Sequence, residues 1–147
     1  MATVRGGDKI KAVLQMLTDK IKPATVRVGF LKGSTYPDGE SVASIAAYNE
    51  YGVLSRGQPP RPFFRNMIAA KKKNWPKAIS KTLKSNNYDV ERSLGIVGEA
   101  ISGQLKQSIT NLKSPPLRPS TIAAKGFSKP LIDTGHMLAS VDYEVTT

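Results

Sequence analysis

Ile10, Val13, Leu14, Leu17 and Ile21 recur at steps of three and four, which predicts an amphipathic helix that Asp8 caps and Pro23 ends. Val26, Val28 and Phe30 then alternate with Arg27 and Gly29, the spacing of a half-buried strand. Tyr36-Pro37-Asp38-Gly39 places Pro second and Gly fourth, the chemistry of a type I turn, so the chain is expected to reverse there. Ser41 suits the N-cap of a short Ala-rich helix through Tyr51. Its stripe holds Val42, Ile45, Ala46 and Asn49, and Gly52 stands at its C-terminal cap.

Gly57, Pro59, Pro60 and Pro62 make Val53 to Pro62 a loop, and Pro62 fits the first turn of a helix starting near Phe63. That helix carries Phe63, Phe64, Met67 and Ile68. Pro76 within the same pattern predicts a kink, the alternative being a break followed by a second helix. After the polar linker Ser85-Asn86-Asn87, Asp89 caps the longest run, where Val90, Leu94, Val97, Ile101, Leu105, Ile109 and Leu112 step by three or four. Such a helix is roughly 35 Å long and is expected to form the core. Gly95, Gly98 and Gly103 each weaken it by up to about 1 kcal/mol, which predicts close packing of another helix.

Pro115 to Pro119 is too proline-rich for a sheet interior, and Ser120 caps a short helix through Ala124 before the loop Gly126 to Pro130. A helical turn with Met137 and Leu138 follows, and Val141, Tyr143 and Val145 alternate against Asp142 and Glu144 as a last strand. The expected fold is α+β: a small mixed sheet packed with several helices, including one long central helix. One domain spans residues 1–147, with residues 1–7 as a flexible N-terminal arm.

Composition adds partners to this picture. The 147 residues, 39% hydrophobic and 22% charged, suffice for one core, and there is no cysteine to cross-link it. No apolar run approaches the roughly 18 residues of a membrane span, and Met1 to Arg5 do not resemble a leader, so a soluble cytoplasmic chain without membrane contact is expected. Lys and Arg total 22 against 11 acids, a net charge of +11. Between Glu50 and Asp89 there is no acid at all, and between Glu99 and Asp133 there is again none. Such a surface suits nucleic acid or an acidic protein neighbour.

Catalytic signatures are missing. His136 is the one histidine, no G-x-S-x-G elbow serves a nucleophile, and no phosphate-binding glycine motif occurs. A metal at His136 has only Asp133 nearby in sequence, and no cofactor is expected. The carboxylate pairs Asp38 with Glu40 and Asp142 with Glu144 fit a turn and the solvent face of a strand better than acid–base work. Lys71-Lys72-Lys73 near Trp75 reads either as a phosphate-neutralising and base-stacking patch or as a solvated face with Trp75 in the core. Pro59-Pro60-Arg61-Pro62-Phe63-Phe64-Arg65 combines pre-ordered backbone, apolar anchors and guanidinium groups, as protein interfaces do. Its prolines would equally serve to position the next helix while Phe63 and Phe64 enter the core. In Pro130-Leu131-Ile132-Asp133-Thr134-Gly135, Asp133 or Thr134 is a candidate cap for the following turn, or part of an interface.

Six segments carry a resemblance by their order. They are Val26 to Gly29, Tyr36 to Gly39, Ala43 to Gly52 ending Asn49-Glu50-Tyr51-Gly52, Pro59 to Arg65, Pro116 to Ile122, and Pro130 to Gly135. From about residue 25 onward the chain resembles the tail-completion, or head-tail joining, family of long-tailed bacteriophages and prophages. Virion-morphogenesis proteins of contractile-tailed phages share a similar proline-arginine-proline segment and a similar aspartate-threonine-glycine segment. The resemblance implies a non-enzymatic virion subunit at the neck, present in the host cytoplasm during assembly, that joins the tail tube or its terminator to the head-side connector. It implies a homo-oligomeric, sixfold ring around a DNA channel, with other neck and tail proteins as partners. Asn49, Glu50, Gly52, Pro60, Arg61, Pro62, Phe63, Phe64, Arg65, Asp133, Thr134 and Gly135 are then candidate contact or motif positions, with Lys71, Lys72 and Lys73 against DNA or an acidic partner. The alternatives are a basic nucleic-acid-binding protein, a tail terminator or a minor tail protein.

Overall fold

The computed structural model describes residues 6–113, 115, 119, 120, 123 and 135–147. Along these run α1 (Gly7–Lys20), β1 (Thr25–Phe30), α2 (Val42–Tyr51), α3 (Phe63–Lys71), α4 (Trp75–Ser85), α5 (Val90–Asn111), α6 (His136–Ala139) and β2 (Val141–Thr146). The architecture is α+β, as the pattern predicts. The sheet is an antiparallel pair rather than mixed among the described residues, with β1 and β2 in register from Thr25 opposite Thr146 to Phe30 opposite Val141. First and last strands thus close on each other.

The long helix α5 meets both strands and the helices α3, α4 and α6. Asp89 caps it by accepting from the Arg92 N–H at 3.0 Å, and Leu94, Val97, Ile101, Leu105 and Ile109 are buried along it. One flank meets β1 and β2, and the other meets α3 and α4. Gly98 explains the first contact. A Cβ built there would lie 2.7 Å from the Tyr143 ring and 2.8 Å from Val26 Cγ2, so it is the sheet, and not another helix, that approaches closely. Gly103 has open space at its Cβ position, which separates it from Gly98 despite their shared helix.

Three further expectations are corrected. Asp8 is not the cap of α1: Gly6 occupies that position with φ +100°, its carbonyl accepting from Ile10 N–H, and Asp8 sits in the first turn where a carboxylate meets the positive helix end. The flexible arm expected over residues 1–7 therefore does not include Gly6 and Gly7, which begin α1; residues 1–5 lie outside the described ones. Pro76 does not kink a continuous helix. The chain tightens into a 3₁₀ turn at Lys72–Asn74 and restarts as α4, with Pro76 in the first turn, where its missing N–H has no intrahelical partner to lose.

Other local expectations are observed. Ser41 Oγ accepts from Ser44 N–H, the Gly39 N–H donates to Tyr36 carbonyl at 2.9 Å, and Thr35 bridges Ser41 across the reversal. Gly52 ends α2 with φ +74°. Of the short helix expected at Ser120 to Ala124, Ser120 and Ala123 are helical, and its other residues lie outside the described ones, as does most of Pro115 to Gly135.

Candidate functional site

Two of the six resembling segments meet in one hydrogen-bonded unit. The N-terminus of α3 has no side-chain cap of its own, because Pro62 holds the cap position. Glu50, in the last turn of α2, supplies it from outside. Its Oε2 accepts from the Phe64 N–H at 2.9 Å, and its Oε1 accepts from the Arg65 N–H at 3.1 Å. The same Oε1 accepts from Arg65 Nε at 2.7 Å, while Arg65 Nη2 donates to the Glu50 carbonyl at 3.1 Å. Glu50 is 5% exposed, so its charge is buried, and it is neutralised by a helix N-terminus and a guanidinium together.

Asn49 ties down the loop that joins the two helices. Its carbonyl accepts from Arg61 N–H at 2.7 Å, its Oδ1 accepts from Gln58 Nε2, and its Nδ2 donates to the Ile45 carbonyl at 2.9 Å. Gly52 is required where the loop folds back. A Cβ there would stand 2.7 Å from both the Gln58 carbonyl oxygen and the Pro60 nitrogen. Pro60 is exposed above it and Pro62 is half-buried at the start of α3.

Arg61 and Phe63 face inward. Arg61 is 6% exposed and donates from Nε to the Pro115 carbonyl at 3.3 Å, and burial pushes its guanidinium pKa down from the ordinary arginine value. Phe63 is 1% exposed, packs edge-on against Phe30, and its carbonyl accepts from Ser108 Oγ on α5. Phe64 is half-buried with its ring over Gly29. In the single chain these three serve the fold, as the positioning reading of the proline segment has it.

What faces outward is Arg65 with Tyr51. The Arg65 guanidinium carbon lies 5.1 Å from the centre of the Tyr51 ring, and Tyr51 is 67% exposed. Beside them a groove of about 290 Å³ runs between α2 and α3, with Ala43 and Ala47 on one wall and Phe64 and Ile68 on the other. Leu54, in the loop nearby in sequence, is 94% exposed.

The other candidates separate from this unit. Lys71, Lys72 and Lys73 are exposed at the joint between α3 and α4, and Trp75 is half-buried with its Nε1 donating to Gln104 Oε1 at 2.9 Å. Trp75 thus packs partly against the core, while the three lysines stay in solvent. Gly135 caps α6 with φ +73°, while Asp133 and Thr134 lie outside the described residues. His136 Nε2 is 2.7 Å from the Thr35 carbonyl, and the ring packs at a tilt of 42° against Tyr36. Among the described residues no three potential metal ligands cluster, and no helix is long and apolar enough to cross a membrane.

In the sequence, Glu50 is a candidate by resemblance alone. Its own signal was available: Val42, Ala46 and Glu50 are spaced by four and are the buried residues of α2. An acid on the buried stripe of one helix, followed by a helix with no polar cap, marks a carboxylate shared between them.

No family model, curated protein or solved structure matches the chain.

Proposed function

We propose that this chain is a tail-completion subunit of a phage or prophage neck, a non-enzymatic component that joins the tail tube or its terminator to the head-side connector within a homo-oligomeric ring. The reading rests on the order of six sequence segments. One observation carries it further: the Asn49 to Gly52 and Pro59 to Arg65 segments form a single clamp around the Glu50 carboxylate, and that clamp presents Tyr51 and Arg65 to solvent. Exposed Tyr and Arg on a pre-ordered scaffold are the residue types that dominate interface energetics.

The test is completion of particles. Tails made without this protein are mixed with purified chain and then with filled heads, and infectious particles are counted. The neck reading predicts restoration by the unaltered chain and loss with a Tyr51→Ala, Arg65→Ala double variant that still folds. Undiminished restoration by that variant would remove the clamp surface from the reading.

A nucleic-acid-binding protein is the second reading, favoured by the exposed cations Lys71, Lys72, Lys73, Lys77, Lys81 and Lys84 along α3 and α4. Its signature is duplex binding by the isolated chain with a steep dependence on salt.

A further inference from the structure

Between α3 and α5 lies an open groove of about 740 Å³, lined by Asn66 from α3 and by Gln104, Gln107 and Asn111 from α5. Small residues make its floor. Ala70, Ala100 and Gly103 line it as well, and a Cβ built at Gly103 meets nothing within 4 Å. One of the amides is held in a fixed orientation. The Trp75 indole can only donate, so its bond takes Gln104 Oε1 and leaves the Nε2 N–H groups to donate elsewhere. Among the described residues, the amides of Asn66, Gln107 and Asn111 have no side-chain hydrogen bond within the chain.

Charge is arranged around these amides rather than among them. No acid and no aromatic is among the described residues that line the groove, and Lys71 stands at its rim, followed in the chain by exposed Lys72 and Lys73. The nearest acid along α5, Glu99, lines a separate hollow with Lys106 and Asp142. Beyond Asn111, the next charged residue is again a cation, Lys113. Cations at a rim with neutral donors and acceptors inside match a nucleotide, whose phosphate is anionic and whose base edge is neutral and polar. An acidic peptide side chain would instead place its charge inside, where no cation waits.

We propose that this groove receives unpaired bases of a nucleic-acid strand, with the strand's phosphates on Lys71, Lys72 and Lys73. The strand is single because a duplex turns its base edges toward each other, away from amides set between two helices. The bases are held by amide hydrogen bonds rather than by stacking. The chain's own residues between Pro115 and Gly135 have the wrong sign for this rim, with Arg118, Lys125 and Lys129 against Asp133 alone. The inference goes beyond both readings above and rests on neither, since neither a neck role nor duplex binding calls for unpaired bases.

The experiment is fluorescence anisotropy with a labelled oligodeoxynucleotide of mixed sequence, single or annealed to its complement, with circular dichroism to confirm folding. At moderate salt the unaltered chain should bind the single strand at least several-fold more tightly than the duplex. Gly103→Leu and Ala100→Leu each put an aliphatic group into the groove, and both positions are exposed, so the fold should stand. Each should weaken strand binding by about tenfold, the worth of one base contact, and leave duplex binding unchanged. Replacing Lys71, Lys72 and Lys73 together by Ala should weaken both and flatten the salt dependence. No binding of the strand, equal affinity for strand and duplex, filled-groove variants that bind the strand undiminished, or displacement by poly-glutamate as readily as by unlabelled strand would overturn the inference. A chain that completes tails but binds no strand would sink this site alone, and one that binds the strand but ignores tails would sink the neck reading alone.

Discussion

A single oxygen of Glu50 accepts both the backbone N–H and the side-chain Nε of Arg65, at 3.1 and 2.7 Å. The carboxylate is thus the missing cap of α3 and the partner that orients the exposed guanidinium. Glu50→Ala removes the acceptor for two helix N–H groups and releases Arg65. The expected cost is about 2–3 kcal/mol, set by the cap and by charge-assisted bonds to a buried acceptor rather than by the half-exposed ion pair. A melting temperature lower by about 5–10 °C in calorimetry would agree with it. An unchanged one would show that the clamp contributes nothing to the fold.

Gly98 and Gly103 share one helix and predict opposite outcomes. Gly98→Ala drives a methyl into Tyr143 and Val26, and overpacking of about 1–3 kcal/mol outweighs the helix-propensity gain of about 1 kcal/mol. Gly103→Ala meets nothing and should stabilise by about 0.5–1 kcal/mol. Urea titrations of the two variants should move in opposite directions from the unaltered chain.

Gly52→Ala combines a left-handed φ of +74° with a backbone clash at 2.7 Å. Neither neighbour is a side chain that can rotate away. A loss of about 3 kcal/mol or more is expected, read as early unfolding in the same titration.

Among the described residues, buried Ser102 Oγ has no hydrogen-bond partner. Its replacement by Ala removes an unsatisfied hydroxyl and favours the helix, so Ser102→Ala should be neutral or stabilising by up to about 1 kcal/mol. A clear loss of stability would mean that the hydroxyl has a partner in the folded protein.

The parts of this fold that were legible in the sequence are those set by local chemistry. Ser41 and Asp89 mark helix starts because their side chains bond the next turn, and β1 and β2 show their alternation because one face meets α5. What a pattern leaves open is the identity of the neighbour. The spacing of α1 shows an apolar face but not that Ile10, Val13 and Leu14 on it stay exposed, and the glycines of α5 show close approach but not that a sheet makes it. Pro76 is ambiguous for a related reason, since a proline reads alike inside a kinked helix and in the first turn of a new one. At the candidate site, Arg61 and Phe63 carry interface chemistry yet are drawn inward by Pro115 and Phe30, partners that lie far away in sequence.

Electron cryo-microscopy of isolated tails incubated with the purified chain tests the central claim most directly. The neck reading predicts added ring-shaped density at the head-proximal tip of each tail and none along the tube. Tails that stay bare at that tip, while the same preparation coats duplex DNA at moderate salt, would contradict it.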